Sequence, residues 1–564
     1  MPEARSRQFR ELLARGRTLV RDQWRRARLR ERRRYGGARG RWLPGRAIEE
    51  LRERWWNAPV REPLHERLRT RWRHSRTRTR WQRTPAQQRA TWRLVAVSGT
   101  VGLAVAAGSV LAAGPWDAGQ RDAERARAAR GPGAGGERHP GGRAPSAAPV
   151  LAALGAPGAV PSPDSGEDAV PPPTGGGLAD ALEPLLDDPA LGDERAASVV
   201  DVTTGRQVFG TGAKGAVVPA STIKLATGAA ALSALGPDHR IKTTVVQGGD
   251  GGIVLVGGGD PTLTARAAKG ADSPASLRAL ADGTARALKK RGTTSVRLGY
   301  DTSLYSGPGL HPIGPNENIS PVTPLMADEG RLDDSDHGPA ARSEDPAADA
   351  AGAFASMLRE RGVEVTGQPR ATEAGKHARP LATVRSRPLF ALVERMLTNS
   401  DNDIAEALAR QTAVASGEPA SFAGAAKAVT ARLQKLRLPV SGARIADGSG
   451  LNRDDHVSAA LLAQVLVRAA DIGHPELRPL LTGLPVAGFS GTLRTRYGAD
   501  TVGRGVVRAK TGTLTGVNTL AGSVVDADGR LLVFAFMTNG TTDAASAQRA
   551  LDTMASALAN CGCR

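Results

Sequence analysis

A run of twenty residues without a charged side chain, from Leu94 to Ala113, most strongly constrains how this chain can be organised. As a helix, the run would extend about 30 Å, which matches the hydrocarbon layer of a bilayer. We therefore expect residues 94–113 to form a single-pass transmembrane helix in the cell membrane, with the residues after it on the extracytoplasmic side. Because small residues make the run only moderately hydrophobic, a secretory signal cleaved after Ala112 or Ala113, which would give a secreted protein, is the alternative.

The residues before this run carry the positive charge of the protein. Residues 1–93 contain 29 Arg, no Lys and 9 acidic residues, whereas the rest of the chain has 47 basic and 47 acidic residues. The net charge of +20 therefore belongs to this segment, which the positive-inside rule places in the cytoplasm. Its Arg and Trp would suit contact with anionic lipid; the alternatives are a disordered tail that only sets topology, or a translation start assigned too far upstream. Nucleic acid is not an expected partner, because no motif of a nucleic-acid-binding fold is present.

A flexible linker is expected to follow the uncharged run. Residues 114–177 are rich in Pro, Gly and Ala and cannot bury enough apolar surface to fold. A flexible chain of about 60 residues spans roughly 40–50 Å, so it could hold a folded domain away from a membrane. The only cysteines, Cys561 and Cys563, lie too close in sequence to cross-link distant elements, so folding must depend on a hydrophobic core.

The pattern of a folded α/β domain begins at residue 178 and continues to residue 564. An amphipathic helix near 178–188 is followed by two short apolar runs with a turn near 203–205, which predicts a β-hairpin. Near the C-terminus a second hairpin, turning at the sequence DADG, precedes a closing helix. We expect a sheet whose strands come from both ends of the domain, with helices packed on it. Residues 243–383 have strand and helix patterns of their own, which indicates an inserted, smaller α/β subdomain.

Ser221 and Lys224, three residues apart at the start of a predicted helix, are the first candidates for chemistry. A serine is a weak nucleophile until a neighbouring base activates it, and residues i and i+3 of a helix share one face. Lys224 could therefore take the proton of the Ser221 hydroxyl. On this pair alone, a serine that caps a helix beside a solvated lysine is the simpler interpretation.

A second motif, Ser400-Asp401-Asn402, opens another predicted helix. A hydroxyl at Ser400 could relay a proton to a leaving group, and the Asn402 amide could hold both a lysine and a substrate carbonyl. An N-cap role for Ser400 or Asn402 is an equally good interpretation of this position.

A third motif lies on a predicted strand and comprises Lys510, Thr511, Gly512 and Thr513. The lysine could attract a substrate carboxylate, and the glycine could let substrate backbone approach closely. A main-chain N–H near Thr513 could face an oxyanion.

The order S-x-x-K, S-D-N, K-T-G resembles the signature of serine β-lactamases and penicillin-binding proteins. Five further stretches resemble, more narrowly, the D-alanyl-D-alanine carboxypeptidase/endopeptidase family, the class C low-molecular-mass penicillin-binding proteins. They are VGGGDPTL (256–263), SLYSGPGLHP (303–312), ISPVTPLMADEGR (319–331), IADGSGLNRDDHVSA (445–459) and LPVAGFSGTLRTR (484–496). The resemblance runs from about residue 180 to the C-terminus.

This resemblance implies a β-lactamase/transpeptidase-like fold, with an antiparallel sheet flanked by helices, and a serine-type D-Ala-D-Ala carboxypeptidase. The enzyme would act on peptidoglycan stem peptides that end in D-Ala-D-Ala, through an acyl-enzyme, and β-lactams would acylate the same serine. Ser221 would be the nucleophile and Lys224 its general base. Ser400 would relay the proton and Asn402 would orient the substrate.

The same resemblance implies the residues that bind the substrate. Lys510 and Thr511 would hold the terminal carboxylate beside Gly512, and the backbone N–H groups of Ser221 and Thr513 would form the oxyanion hole. Neither a cofactor nor a metal ion is implied.

The insertion is shorter than is usual in this family. Ser400 follows Ser221 by only 179 positions, so the outer of two subdomains is expected to be absent or vestigial. This leaves the balance between carboxypeptidase action and endopeptidase action on cross-linked peptides open.

Several other functions share part of this sequence pattern. A serine β-lactamase shares all three motifs, and a membrane-anchored scaffold that only binds cell-wall peptide is a non-catalytic alternative. The lack of a G-x-S-x-G motif argues against a Ser-His-Asp hydrolase. The acidic stretch 332–338 is interpreted as a solvated loop rather than a metal site, because nothing with ligand spacing accompanies it.

Overall fold

The computed structural model describes residues 172–267 and 273–563. The Arg-rich segment 1–93, the predicted membrane segment 94–113 and most of the predicted linker 114–177 therefore lie outside the described residues. Within the described part of the chain, no helix is both long and apolar enough to cross a bilayer.

Fourteen strands and ten α-helices occur in the described residues. The strands are β1 (Glu194–Asp201), β2 (Gln207–Thr211), β3 (Ala216–Val217), β4 (Lys242–Gln247), β5 (Ile253–Val256), β6 (Ser295–Val296), β7 (Leu298–Asp301), β8 (Glu364–Val365), β9 (Arg370–Ala371), β10 (Pro380–Arg385), β11 (Val457–Ser458), β12 (Arg508–Leu514), β13 (Val517–Val525) and β14 (Leu531–Asn539). The helices are α1 (Gly175–Leu186), α2 (Lys224–Leu235), α3 (Leu277–Lys289), α4 (Pro346–Glu360), α5 (Leu389–Asn399), α6 (Asn402–Ser416), α7 (Phe422–Lys435), α8 (Ala459–Ala470), α9 (Pro479–Thr482) and α10 (Ala544–Asn560).

Five strands form the central antiparallel sheet, in the order β12-β13-β14-β1-β2. The predicted hairpins join β1 to β2 and β13 to β14, with the second turn at Asp526 to Gly529, and both are confirmed. Strand β1 pairs with β14 along the whole length of β1, from Glu194 opposite Asn539 to Asp201 opposite Leu532. This pairing closes the two ends of the domain into one sheet, and the predicted mixed α/β class is confirmed.

Helices cover both faces of this sheet. Phe534 and Phe536 of β14 pack in one core with α1 and α10, whereas Val533 and Ala535 pack in the other core with α2 and α8. Successive side chains of a strand point to opposite faces, so one strand serves both cores. Burial on both faces explains why β14 begins with a continuous apolar run, from Leu531 to Met537.

Helix α1 begins at Gly175, three residues before the predicted boundary between linker and domain. Thr174 caps it, because its Oγ1 accepts a hydrogen bond from the N–H of Gly177 (3.0 Å). The N–H of Thr174 also donates to the carbonyl of Cys563 (2.7 Å), which ties the start of the domain to its end. Cys561 and Cys563 are paired with each other and, as predicted, link no distant elements.

A second sheet, in the order β10-β4-β5-β7-β9, is formed by residues between α2 and α5. Strands β5, β7 and β9 pair in parallel, and β4 pairs antiparallel with β5 and β10. Helices α3 and α4 contribute Leu280 and Phe354 to a core that also contains Leu255. The insertion thus has a hydrophobic core of its own.

Helix α2 crosses the centre of the helical layer and is buried from Lys224 to Leu232. It packs against α6, α7 and α8. A helix that is buried on all sides ordinarily carries apolar residues only, because an unpaired buried charge is costly. The buried Lys224 is therefore an exception that requires specific partners.

Candidate active site

Ser221 lies in a short 3₁₀ turn, Ala220–Ile223, that leads into α2. Ala220 has a φ of 47°, a left-handed conformation that is unfavourable for a residue with a Cβ atom. Such a conformation persists only where neighbouring groups enforce it. Here the hydroxyls of Thr519 on β13 (2.8 Å) and Thr222 (2.7 Å) both donate to the carbonyl of Pro219. These bonds fix the turn against the central sheet and leave Ser221 half-buried.

The amine of Lys224 is fully buried and has three oxygen partners. Its Nζ lies 2.9 Å from Ser221 Oγ, 2.7 Å from Asn402 Oδ1 and 2.6 Å from the carbonyl oxygen of Ser449. Burial lowers the pKa of Lys224 to about 8, although nearby carboxylates oppose the shift. An appreciable fraction of the amine is therefore neutral near neutral pH and can accept the proton of the Ser221 hydroxyl.

The motif Ser400-Asp401-Asn402 forms the corner between α5 and α6. Ser400 ends α5 with a φ of 58°, and Asp401 caps α6, because its Oδ1 accepts from the N–H of Ile404 (3.0 Å). The N-cap role that the sequence allowed for Ser400 or Asn402 thus belongs to Asp401. Ser400 Oγ instead accepts a hydrogen bond from Lys510 Nζ (2.9 Å), and Asn402 directs its amide oxygen to the buried amine of α2.

Lys510 lies on β12, an edge strand of the central sheet, and its side chain is also fully buried. Besides Ser400 Oγ, its Nζ reaches the carbonyl oxygen of Thr511 (2.6 Å). Burial and the charge of Lys224 hold the pKa of Lys510 well below its usual value. The Thr511 hydroxyl donates to Thr492 Oγ1 (2.8 Å), which fixes the orientation of the Thr511 side chain.

Gly512 is required by the packing of the protein itself. A Cβ atom at this position would lie 2.1 Å from Thr519 Oγ1, 2.8 Å from the Pro219 carbonyl oxygen and 3.1 Å from the backbone nitrogen of Ser221. The sequence suggested that this glycine admits substrate; in the structure it also lets β12 lie against the turn that carries the nucleophile.

Hydrogen bonds link most of the predicted site residues into two groups. Lys224 joins Ser221 and Asn402, and Lys510 joins Ser400 and Thr511. Thr513 is exposed, and its hydroxyl accepts from the side chain of Gln548 (3.3 Å) instead. Because β12 is an edge strand, alternate N–H groups along it face away from β13.

Two backbone carbonyls and one hydroxyl in the site had no role assigned from the sequence. The Ser449 carbonyl contacts Lys224, and the Asn318 carbonyl accepts from Asn402 Nδ2 (2.9 Å), which fixes the orientation of that amide. The third group is the Thr492 hydroxyl. All three lie in or beside stretches that carry the family resemblance, but a carbonyl has no side-chain signature from which its role could be predicted.

Two clusters within the described residues have donor atoms suited to a metal ion. They are His311, Glu406 and Asp447, and Glu329, Asp401 and Asp403, with ligand atoms within 4.8 Å of one another. The His311 ring is hydrogen-bonded to Asp447 (2.9 Å). Arg331 pairs with Glu329 and Arg342 with Asp403, each at 2.9 Å. These contacts favour internal hydrogen-bond networks over metal binding, and the acidic stretch 332–338 contributes to neither cluster.

Comparison with known proteins places these motifs in a family. The sequence model of the D-Ala-D-Ala carboxypeptidase 3 (S13) family matches residues 178–337 and 333–561. Carboxypeptidase DacB of Mycolicibacterium smegmatis is 40% identical over 405 residues, which cover 70% of this chain and 86% of that protein. Carboxypeptidase Rv3627c of Mycobacterium tuberculosis is 38% identical over 407 residues, with the same two shares.

The fold is also similar to a solved structure, penicillin binding protein 4 of Haemophilus influenzae. The TM-score is 0.56 at 24% sequence identity, and the match covers 67% of this chain and 97% of the other. The residues matched by the family include all three motifs, at Ser221, Ser400 and Lys510. The chain therefore belongs to the D-Ala-D-Ala carboxypeptidase 3 (S13) family.

Proposed function

We propose that this chain is a serine-type D-Ala-D-Ala carboxypeptidase that removes the terminal D-Ala from peptidoglycan stem peptides. The observation that carries the proposal is the 2.9 Å contact between Nζ of Lys224 and Oγ of Ser221. It places a buried base of lowered pKa beside a serine hydroxyl, which is what activates a serine as a nucleophile. The simpler interpretation, a capping serine beside a solvated lysine, does not fit a fully buried amine.

Acylation begins when neutral Lys224 takes the proton of Ser221 while Oγ attacks the carbonyl carbon of the D-Ala-D-Ala bond. The backbone N–H groups of Ser221 and Thr513 stabilise the oxyanion of the tetrahedral intermediate. Collapse of the intermediate breaks the C–N bond and leaves the stem peptide as an ester on Ser221. The departing amine receives the Ser400 proton, and Ser400 regains a proton from Lys510, which it contacts at 2.9 Å. The proton that Lys224 took from Ser221 then replaces the one that Lys510 gave up, so Lys224 is neutral again before deacylation.

Deacylation repeats these steps with water as the nucleophile. Lys224 takes a proton from the water as it attacks the ester carbonyl, and Ser221 regains a proton as its oxygen leaves. The products are the shortened stem peptide and the free serine.

The substrate-binding groups surround the nucleophile. The Lys510 ammonium and the Thr511 hydroxyl bind the terminal carboxylate, and Gly512 leaves room for substrate backbone along β12. Asn402 Nδ2 has two hydrogens, one of which goes to the Asn318 carbonyl, so the other can hold a substrate carbonyl.

Labelling with a fluorescent penicillin tests the proposal, because a β-lactam would acylate the same serine. Wild type should form a covalent adduct, and Ser221→Ala should form none. Ser356→Ala, which alters an exposed serine on α4, serves as the matched control and should label like wild type. Wild type that takes no label would refute the proposal.

Two further readouts separate the alternatives. Rapid turnover of the penicillin adduct would favour a serine β-lactamase, whereas a stable adduct without D-Ala release from a pentapeptide would favour a binding scaffold. Comparing D-Ala release with cleavage of a cross-linked dimer measures the balance between carboxypeptidase and endopeptidase action.

We further propose that residues 94–113 anchor the enzyme in the cell membrane. The support is their uncharged sequence, the Arg-rich residues 1–93 before them and the Pro/Gly/Ala-rich residues after them. In this arrangement the catalytic domain is extracytoplasmic, and the Arg-rich segment faces anionic lipid. Mass spectrometry of membrane extracts should detect a tryptic peptide from 1–93; protein in the medium that starts after Ala112 or Ala113 would support the secreted alternative.

A further inference from the structure

The loop behind Lys224, residues 446–452, directs its backbone N–H groups into three buried carboxylates. Glu406 Oε1 accepts from the N–H groups of Gly448 (2.9 Å) and Ser449 (2.8 Å). The carboxylate of Asp447 accepts from the N–H groups of Ser449 (3.0 Å), Gly450 (2.6 Å) and Asn452 (2.7 Å). The carboxylate of Asp455 accepts from the N–H groups of Ala446 (2.6 Å) and Asp447 (3.3 Å). The backbone of this loop is therefore fixed at almost every residue.

Glu406 connects this loop to the second motif. It lies on α6 four residues after Asn402, so the two side chains share one face of the helix. The Glu406 side chain is fully buried, and its second oxygen, Oε2, has no hydrogen-bond partner among the described residues. A buried carboxylate with an unused oxygen is expensive for stability, which points to a role other than stability.

The position of the Ser449 carbonyl determines where the lone pair of Lys224 points. A neutral lysine amine has two N–H groups and one lone pair. Asn402 Oδ1 and the Ser449 carbonyl can only accept, so they take both N–H groups. The lone pair is then left for the hydroxyl of Ser221 (2.9 Å).

We propose that Glu406 is a positioning residue for proton transfer. It fixes the Ser449 carbonyl against Lys224, and its negative charge sets the pH range in which Lys224 accepts the proton of Ser221. This inference rests on the proposed function, because it requires Lys224 to be the base.

Charged groups face Lys224 from three sides. They are Glu406 and Asp401 from α6 and its cap, Asp447 and Asp455 from the loop and the residues after it, and Lys510 from β12. Glu406 is itself faced by Asp447, His311 and Arg410. Burial and the charge of Asp447 raise the pKa of Glu406 to about 7. Glu406 is thus mostly anionic where Lys224 titrates, and its charge favours the protonated lysine.

Two substitutions of Glu406 separate its charge from its position. Glu406→Gln keeps an acceptor oxygen for the two N–H groups but removes the charge, so the pKa of Lys224 falls further. In the pH profile of the rate constant for penicillin acylation, the acidic limb, where the rate falls as Lys224 becomes protonated, should move to lower pH by roughly one unit. Glu406→Asp keeps the charge but shortens the side chain, so the limb should stay in place while the plateau rate falls about tenfold or more.

The matched control is Glu364→Gln, which removes an exposed carboxylate on β8 and should leave the profile unchanged. Wild type provides a test that needs no variant. Protonation of Glu406 at low pH weakens the proton affinity of Lys224, so the acidic limb should be shallower than one decade per pH unit.

The outcomes distinguish this inference from the proposed function. If the pH profile of acylation for Glu406→Gln superimposes on the profiles of wild type and Glu364→Gln, the inference is overturned. Acylation itself is then still observed, so the proposed function stands. If wild type is not acylated at any pH, the proposed function fails and the inference fails with it. If circular dichroism shows that both Glu406 variants are unfolded, the wild-type profile decides, and a limb of one decade per pH unit overturns the inference.

Discussion

Replacing Gly512 by Ala should damage the site more than the fold. The added Cβ atom would lie 2.1 Å from Thr519 Oγ1 and 2.8 Å from the Pro219 carbonyl oxygen, both closer than real Cβ contacts. Strand β12 and the nucleophile turn would have to separate by up to about 1 Å to relieve these contacts. Overpacking of this kind costs about 1–3 kcal/mol of unfolding free energy. A shift of about 1 Å between Ser221 and the groups on β12 should lower the acylation rate by about a hundredfold.

Urea unfolding and the rate of penicillin acylation measure the two effects in the same preparation. The matched control is Gly352→Ala on α4, where a Cβ atom would meet nothing within 4 Å. Alanine is favoured over glycine inside a helix by up to about 1 kcal/mol, so this control should be slightly stabilised and fully active. Gly512→Ala protein that acylates within about threefold of wild type would refute the packing argument.

Two further predictions concern stability. Asp401→Ala should lower the free energy of unfolding by about 1 kcal/mol, because the N–H of Ile404 loses its acceptor. Asp401→Asn should keep most of this stabilisation, because its amide oxygen can still accept; urea unfolding measures both variants. Lys224 binds a proton below pH 10.5 when unfolded but only below about 8 in the native state. Between these values the unfolded state holds more protons, so native stability rises with pH, by roughly 3 kcal/mol. Lys224→Met should lack this rise. Identical pH profiles of the unfolding free energy for wild type and Lys224→Met would contradict this prediction.

Local patterns in the sequence were sufficient to predict the elements of the central sheet. The turn near 203–205 and the turn at Asp526 to Gly529 were both predictable, because turn residues between apolar runs are a short-range signal. The start of α1 was missed by three residues, since Thr174 follows a Pro-rich stretch that obscures its capping role.

The roles of individual site residues were less predictable than their presence. The sequence placed Ser400, Asp401 and Asn402 at a helix start, but which of them caps the helix depends on the left-handed conformation of Ser400. The carbonyls of Asn318 and Ser449 reach the site only through long-range contacts. Contacts of this kind leave no periodicity or composition signal in a single sequence.

The electrostatic coupling of two buried lysines suggests how uptake of the Ser221 proton promotes protonation of the leaving group. Lys224 and Lys510 are both fully buried, and the charge of Lys224 lowers the pKa of Lys510. When Lys224 takes the Ser221 proton, Lys510 therefore becomes a stronger acid just as its partner Ser400, at 2.9 Å, must protonate the departing amine.

This coupling predicts that the loss of kcat/KM caused by Lys510→Gln depends on the leaving group of the substrate. Gln can still donate a hydrogen bond to Ser400, but it cannot supply a proton. A D-Ala-D-Ala peptide and its D-Ala-D-lactate ester have the same terminal carboxylate. The variant should weaken carboxylate binding equally for both substrates, so this effect cancels when they are compared. The kcat/KM of the variant should fall about tenfold more for the peptide than for the ester. An amine leaving group must be protonated as it departs, whereas the less basic alkoxide can leave with little protonation. Equal losses for the two substrates would restrict Lys510 to binding the carboxylate and would leave Lys224 to return the proton itself.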